Sequence, residues 1–273
     1  MDSYNLFIAA LFGLLFGSFL NVVIIRIPKG ESIVFGGSHC VHCNTALKPW
    51  HNIPLFSWIF LGGKCAFCKK RIDWQYPLVE LLTAVIFALV VYKYGLTPNA
   101  FFIALSFSML LALTFIDIKY QMIPDSLNIL AILFAILGAW NLSGIINNFT
   151  NALLFAGGFT LLRFVLSYYL TSSLYRAGLK TKTTWNKNYD RTPMIEAMGE
   201  GDIMVAATMG ALLGLKLGLF AIFLSALLAL PVMLFLITKT KEEPRVAFVP
   251  FLALATLIVF VFDTEILHFI EAL

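Results

Sequence analysis

Carboxylates and cysteines are the side chains of this sequence that are best suited to chemistry. Asp117 stands near the end of one apolar run, and Asp202 opens another in the stretch "MGEGDIMVAATMGALLG". All four cysteines lie in two Cys-x-x-Cys pairs before residue 70. Two carboxylates held close together can share one proton, so that one acts as a base on water and the other as an acid. The residue types therefore suggest a hydrolase with a separate metal-binding segment.

The two aspartates are expected to lie in opposite helix-dipole fields. Asp202 would stand at the N-terminus of a helix, where the dipole favours a carboxylate, and Asp117 at a C-terminus, where the dipole opposes one. Both lie at the same predicted membrane edge, so they can meet across helices despite 85 residues of separation. Helix capping by Asp202, and a proton or ion relay formed by the pair, are the alternatives.

Four further residues have predicted supporting roles. Gly199 and Gly201 lack Cβ atoms and let the backbone approach a substrate or a partner helix closely. Asp125 follows a proline at a predicted helix start, where it or Ser126 can cap exposed N–H groups and so support the catalytic loop. Glu80 is a weak candidate for holding a substrate amine or for methyl transfer, and a hydrogen bond between helices is its favoured interpretation.

The cysteine pairs have the spacing of a zinc site. Cys40 and Cys43 are separated by 21 residues from Cys65 and Cys68, and four thiolates can surround Zn²⁺ as a tetrahedron. Disulfides are the competing interpretation, but a cytoplasmic compartment keeps thiols reduced. A loop with so little apolar periodicity builds little core, so metal ligation would supply its folding energy.

Two histidines lie within and beside the first cysteine pair. His39 and His42 could substitute as metal ligands, although contact with the metal site's surroundings or with solvent is their favoured role. A redox-active Cys-x-x-Cys motif normally occurs once, at a helix start, and this sequence has two such motifs in a loop.

The composition is that of a multi-pass membrane protein. The 273-residue chain is 60% hydrophobic and 12% charged, with a mean hydropathy of +0.89. Soluble domains are about half apolar and a quarter charged. The predicted fold is an all-α membrane protein of about eight transmembrane helices with a small zinc-binding loop domain. The predicted spans are Tyr4–Ile25, Tyr76–Tyr92, Phe101–Ile116, Leu127–Trp140, Phe149–Leu170, Ile203–Leu215, Leu217–Ile237 and Val246–Phe262.

Basic residues give the predicted orientation. The loops 26–75, 117–126, 171–202 and 238–245 hold 16 of the 19 Lys and Arg residues. The positive-inside rule places these loops in the cytoplasm and the N-terminus outside. The net charge of +4 then reports orientation, and no nucleic-acid partner is predicted from it. The basic loops, including Lys64, Lys69, Lys70 and Arg71, can instead meet anionic membrane lipid.

Several motifs resemble those of the type IV prepilin peptidases, which are GxGD aspartyl proteases. "GLLFGSFLNVVIIRIP" resembles the first span of that family, and "SHCVHCNTALKPWHNIPLFSWIFLGGKCAFCKKRIDWQYPLVELL" resembles its zinc-binding loop. "DIKYQMIPD" is similar to the first catalytic segment, "GEGD" to the GxGD motif, and "RVAFVPFLALATLI" to the last span. The motifs occur in the family's order over nearly the whole chain.

The resemblance implies an activity and an organisation. It implies Asp117 and Asp202 as the catalytic pair, with Asp125 as support. The cleaved substrates would be the leaders of type IV prepilins and type II secretion pseudopilins, at the cytoplasmic face of a bacterial inner membrane. It further implies methylation of the new N-terminus with S-adenosylmethionine. The expected units are a first helix (1–25), a methyltransferase-associated Cys₄ zinc domain (26–75) and a peptidase domain (76–273).

Some features differ from the family pattern, and other functions stay open. Met204 stands where the family often has Lys, "VAFVPF" replaces a Pro-Phe-Gly-Pro-Phe motif, and the segment 171–198 is longer than expected. No Gly-rich nucleotide loop follows a strand, so no Rossmann-type site for the methyl donor is predicted. A proton-coupled transporter or channel and a non-catalytic pilus assembly platform are the alternative functions.

Overall fold

The computed structural model describes residues 3–139, 144–176, 199–239 and 246–272. Most of the 171–198 segment, and the basic residues between 240 and 245, therefore lie outside the described residues. Two isolated β-bridges, His39 with Ala46 and Lys64 with Arg71, are the strand-like pairings found within the described ranges. The helices are α1 (Ser3–Arg26), α2 (Phe56–Phe60), α3 (Gln75–Tyr94), α4 (Pro98–Tyr120), α5 (Asp125–Gly138), α6 (Ile145–Arg176), α7 (Glu200–Lys239), α8 (Val249–Val261) and α9 (Asp263–Glu271).

The predicted all-α membrane fold is confirmed, but the count of about eight spans is not. Among the described residues, five helices are long and apolar enough to cross a membrane: α1, α3, α4, α6 and α7. The pair α8 and α9, bent by 84° at their junction, would make a sixth. The fourth predicted span corresponds to α5, which at 14 residues is about 21 Å long and short for the hydrocarbon core.

The sixth and seventh predicted spans both fall within α7. This element has 40 residues, and an unbroken helix of that length would be about 60 Å long, twice the thickness of the hydrocarbon core. It is interrupted at Gly214, whose φ of 73° and ψ of −174° are not helical. Only glycine adopts such angles without strain, so this residue permits the break.

The central helix of the bundle is α4. It packs against α1, α3, α5 and α8, while α7 packs against α5, α6 and α8. Buried residues occupy all sides of α4, as expected for a helix surrounded by others. The helix begins where the Thr97 hydroxyl accepts a hydrogen bond from the N–H of Ala100 at 3.2 Å. It ends at Gln121, which is left-handed and donates its N–H to the carbonyl of Asp117.

Small residues bring α1 against α3. A Cβ atom at Gly13 would lie 2.7 Å from Cα of Ala84, and one at Gly17 would lie 2.7 Å from Cα of Glu80. One turn further, the Asn21 side-chain amide donates to the carbonyl of Tyr76 at 3.1 Å. Close backbone approach at glycines four residues apart is a common way of packing membrane helices.

Substitution of Gly17 should therefore separate two helices. Gly17→Ala places a methyl group against backbone that cannot move aside, and we expect a loss of about 1–3 kcal/mol of stability. Gly157→Ala is the matched control, because a Cβ atom there meets nothing within 4 Å. Thermal unfolding in detergent should show a lowered midpoint for Gly17→Ala and an unchanged or raised one for Gly157→Ala. Equal midpoints would contradict the packing.

Candidate active site

Asp117 lies in the last turn of α4 and is held by the start of another helix. Its side chain is 7% exposed. The backbone N–H of Val249, the first residue of α8, donates to Oδ2 of Asp117 at 3.2 Å, and the N–H of Phe248 also interacts with this carboxylate. Unpaired N–H groups at a helix N-terminus form a favourable site for an anion. Phe248 and Val249, within the "VAFVPF" stretch of the last predicted span, thus supply backbone donors to Asp117.

This contact corrects the expected electrostatic contrast between the aspartates. The sequence places Asp117 in the unfavourable field at the end of α4, and that part of the prediction holds. The sequence does not show that the N-terminus of α8 faces the same carboxylate, where its field opposes that of the α4 C-terminus. Both aspartates therefore have a helix N-terminus beside them, because Asp202 lies in the first turn of α7.

The structure brings Asp202 to Asp117. The two carboxylates are close enough for their charges to interact across the helix interface. Asp202 also accepts a hydrogen bond from the backbone N–H of Gly199. A Cβ atom at Gly199 would lie 3.3 Å from Oδ2 of Asp202, so the absence of a side chain there leaves room for the carboxylate.

Gly201 sets the position of Asp202 relative to α5. A Cβ atom at Gly201 would lie 2.5 Å from Cβ and Cδ1 of Ile123, the residue before Pro124. Real Cβ atoms do not approach other atoms so closely. Glycine at this position therefore allows the start of α7 to touch the segment that joins α4 to α5.

An ion pair also holds the first residue of α7. Nη1 of Arg163 in α6 lies 3.0 Å from Oε1 of Glu200, the first residue of α7. The guanidinium is mostly buried, whereas Glu200 is largely exposed. Sequence reasoning did not assign a role to either residue. A lone arginine inside an apolar span was the available signal, since such residues are costly unless paired.

Asp125 does not form the predicted cap. The helix α5 begins at Asp125, so Pro124 occupies the capping position and no side chain caps the helix. The Asp125 side chain is exposed, and its charge in the first turn still favours the helix dipole. Within the described ranges, no hydrogen bond or ion pair joins it to Asp117 or Asp202.

Asn128, one turn further along α5, was not identified from the sequence. Its side chain is fully buried, and neither atom of its amide has a hydrogen-bond partner among the described residues. Such a group costs stability in an apolar interior unless it is paired. A polar residue inside an apolar run was the only signal of this position in the sequence.

Glu80 joins the cysteine loop to the bundle. Its Oε2 accepts a hydrogen bond from the N–H of Leu55 at 2.8 Å, and its carboxylate also interacts with the Ser18 hydroxyl of α1. Lys119, in the last turn of α4, contacts Gln75 at the start of α3. The cysteine loop and Asp117 therefore lie at the same end of the helix bundle.

The four cysteines converge on one point. The Sγ atoms of Cys40, Cys43, Cys65 and Cys68 all lie within 4.8 Å of one another, and Cys40 and Cys68 are 3.9 Å apart. A tetrahedron with Zn–S bonds of about 2.3 Å has edges of roughly 3.8 Å, so the cluster fits a metal ion of this type. Neither His39 nor His42 belongs to the cluster found in the described part of the chain.

The two cysteine pairs have the same backbone geometry, repeated after 25 residues. In each, the first cysteine accepts a hydrogen bond at its carbonyl from the residue after the second cysteine, Asn44 or Lys69. Both residues are left-handed, with φ of 57° and 59°. The bridges His39–Ala46 and Lys64–Arg71 close the two turns. The cysteine loop is therefore built from two equivalent turns.

Backbone and side-chain donors favour the thiolate form of two cysteines. The hydroxyl and N–H of Thr45 lower the pKa of the Cys43 thiol to about 6. The N–H groups of Cys68 and Phe67 lower the pKa of Cys65, and the latter N–H lies 3.4 Å from the sulfur. The N–H of Lys70 would lower the pKa of Cys68, but burial and the other three thiols outweigh it and raise that pKa to about 11. The contacts therefore favour the thiolate ligand form at Cys43 and Cys65 only.

A helical membrane bundle with two interacting carboxylates and a four-cysteine loop at the same end belongs to the class of membrane-embedded peptidases of the aspartic type. Residues 11–94 match the bacterial peptidase A24 N-terminal domain, and residues 104–234 match the type IV leader peptidase family. The chain belongs to the type IV leader peptidase family.

Curated relatives cover nearly the whole chain. A prepilin leader peptidase/N-methyltransferase of Neisseria gonorrhoeae is 32% identical over 93% of this chain and 89% of the relative. Proteins of the same name from Pseudomonas aeruginosa and Xanthomonas campestris are 33% and 31% identical, over 94% of this chain in each case and 90% and 91% of the relatives. No solved structure matches the chain.

Substitutions in and beside the cysteine cluster test which side chains bind the metal. Cys65→Ser removes one thiolate, and we expect the purified protein to lose its bound metal and the loop to become sensitive to proteolysis. His42→Ala should retain the metal, because this side chain lies outside the cluster. Elemental analysis by mass spectrometry provides the readout. Equal metal content in the two variants would contradict the four-cysteine site.

Proposed function

We propose that this protein is an aspartic endopeptidase that removes the leader of type IV prepilins and type II secretion pseudopilins, with Asp117 and Asp202 as its catalytic pair. The observation that carries the proposal is that these carboxylates lie at one end of the bundle, close enough for their charges to interact. The names of the curated relatives support both the cleavage and the N-methylation.

Hydrolysis requires the pair to hold one proton between them. The ionised carboxylate removes a proton from water, and the water oxygen bonds to the carbonyl carbon of the substrate peptide. The protonated carboxyl group gives its proton to the amide nitrogen as the C–N bond breaks. The products are a free leader carboxylate and a new N-terminal amine. The N–H groups of Phe248 and Val249 orient one member of the pair during these steps.

The proposed site faces the cytoplasm of a bacterial inner membrane. The positive-inside rule supports this orientation, because the end of the bundle that carries the cysteine loop and both aspartates also carries most of the basic residues. With the N-terminus outside, α1 delivers the chain to the cytoplasmic loop at Arg26. A substrate with a polar leader before an apolar helix would then present its junction at the level of the aspartates.

The cysteine loop is proposed to hold a structural Zn²⁺ ion through Cys40, Cys43, Cys65 and Cys68. A bound ion would supply folding energy to a loop with few buried apolar side chains. The loop (26–75) is proposed as the part of the chain that serves methylation with S-adenosylmethionine, and residues 76–273 as the peptidase. The transporter, channel and scaffold alternatives have no support from the family or from the named relatives.

The catalytic pair is tested by isosteric substitution. Asp117→Asn and Asp202→Asn each remove an ionisable group but keep the shape, and either should abolish leader removal. Asp125→Asn should retain at least partial activity, because its side chain is exposed and caps nothing. Cleavage of a co-expressed prepilin is measured by gel mobility and mass spectrometry. Full cleavage by either of the first two variants would refute the assignment.

Substitution of a cysteine tests whether the loop serves methylation and the helix bundle serves cleavage. Cys65→Ser should lose methylation before it loses cleavage, because Asp117 and Asp202 lie on α4 and α7 rather than in the loop. Mass spectrometry of mature pilin from cells that carry this variant gives both activities at once. Fully methylated pilin from a metal-free variant would show that the loop is not needed for methyl transfer.

A further inference from the structure

The short helix α2 exposes large apolar side chains, although it lies outside the helices that could span a membrane. Phe56, Ile59 and Phe60 are 55%, 63% and 84% exposed. They occupy three of the five positions of α2, and the polar Ser57 turns its hydroxyl back to the carbonyl of Ile53. Exposed apolar surface of this kind marks a contact with a membrane or another molecule.

Two contacts fix α2 beside the first turns of α3. The N–H of Leu55, the residue before α2, donates to Glu80. The ring of Trp58 packs on Trp74, the residue before α3, with centroids 4.6 Å apart. Glu80 lies five residues into α3, which places Leu55 roughly 8 Å along that helix from its first residue. Since α3 is a candidate span from Gln75, α2 lies at the depth of the membrane boundary rather than above it.

The turn that leads into α2 is strained and is held by Glu80. Leu55 has φ of 60° and ψ of −52°, and the N–H of Phe56 donates to the carbonyl of Pro54 at 2.6 Å. This is a γ-turn that residues with a side chain rarely adopt. Such conformations persist only where the surroundings enforce them. The hydrogen bond to a buried carboxylate in α3 supplies that constraint.

The residues around α2 are typical of a membrane interface. Trp50 and Trp74 are both largely exposed, and Nζ of Lys48 lies 5.2 Å from the centre of the Trp50 ring. Tryptophan is enriched where acyl chains meet headgroups, and lysine can extend its charge to the headgroups from there. These residue types are the ones expected where the apolar face of α2 would meet the boundary of the bilayer.

We propose that α2 is an interfacial helix whose Phe56, Ile59 and Phe60 side chains insert into the leaflet on the side of the cysteine loop. Interfacial helices bury their apolar face about 5–10 Å into the boundary between headgroups and acyl chains, which agrees with the depth of Leu55 along α3. Because α2 lies between the two cysteine pairs in the chain, its insertion fixes the metal-binding loop against the bilayer.

Photocrosslinking in a bilayer tests this depth. Full-length protein carrying Phe60→p-benzoylphenylalanine is reconstituted into vesicles of phosphatidylethanolamine and phosphatidylglycerol and irradiated. The matched positive control is Leu161→p-benzoylphenylalanine, at an exposed position within the candidate span of α6. Intact-protein mass spectrometry then identifies the adducts, and a parallel sample contains a peptide with the apolar helix of a pilin.

The expected result is an adduct of one phospholipid at position 60, at a yield similar to that of the control and unchanged by the peptide. Lipid adducts at position 161 alone would overturn the proposal, because they would place the face of α2 in water. Crosslinking of position 60 to a second copy of the chain would also overturn it. An adduct with the peptide that replaces the lipid adduct would show that this face binds the substrate helix instead.

Discussion

The close contact between Gly201 and Ile123 is the constraint on which the candidate site depends. It lets the start of α7 touch the segment between α4 and α5, which carries Asp202 into electrostatic range of Asp117. Two further contacts stabilise that arrangement. The N-terminus of α8 donates to Asp117, and Arg163 of α6 pairs with the first residue of α7. Contacts from α6 and α8 thus support the placement of two carboxylates, on α4 and α7, that would repel one another if both were ionised.

The cysteine loop is connected to the same end of the bundle through a buried carboxylate of α3 and through the packing of Trp58 on Trp74. Glu80 accepts the N–H of Leu55 and interacts with α1, and α1 itself is brought to Glu80 by Gly17. The packing of α1 on α3 therefore also sets where the loop begins and where α2 lies. Lys119 of α4 contacts Gln75 of α3, so the helix that carries Asp117 lies beside the helix that follows the cysteine loop. The loop proposed for methylation therefore lies at the same end of the bundle as the site proposed for cleavage.

Features that depend on residues close together in the chain could be predicted from the sequence. The spacing of the cysteine pairs sufficed to predict their cluster, because each turn closes through backbone contacts within a few residues. The membrane class followed from hydropathy, and the electrostatic interaction of Asp117 with Asp202 agrees with their common membrane edge. The N–H of Val249 and the contact of Ile123 with Gly201 could not be predicted, since they join residues more than 70 positions apart. The count of about eight spans is not confirmed: the fourth predicted span, already short in the sequence, corresponds to the 14-residue α5, and the sixth and seventh fall within one element, α7, that is interrupted at Gly214.

A size-exchange experiment at the contact between α5 and α7 tests the account most directly. Rates of prepilin cleavage are measured for the wild type, Gly201→Ala, Ile123→Gly and the double variant, with thermal unfolding as the check on folding. A methyl group at position 201 collides with Ile123 although both aspartates remain, so Gly201→Ala should lose most of the activity. Removal of the Ile123 side chain makes room for that methyl group, so the double variant should be more active than Gly201→Ala alone. Wild-type activity in Gly201→Ala, or no recovery in a folded double variant, would contradict the claim that this contact positions the aspartate pair.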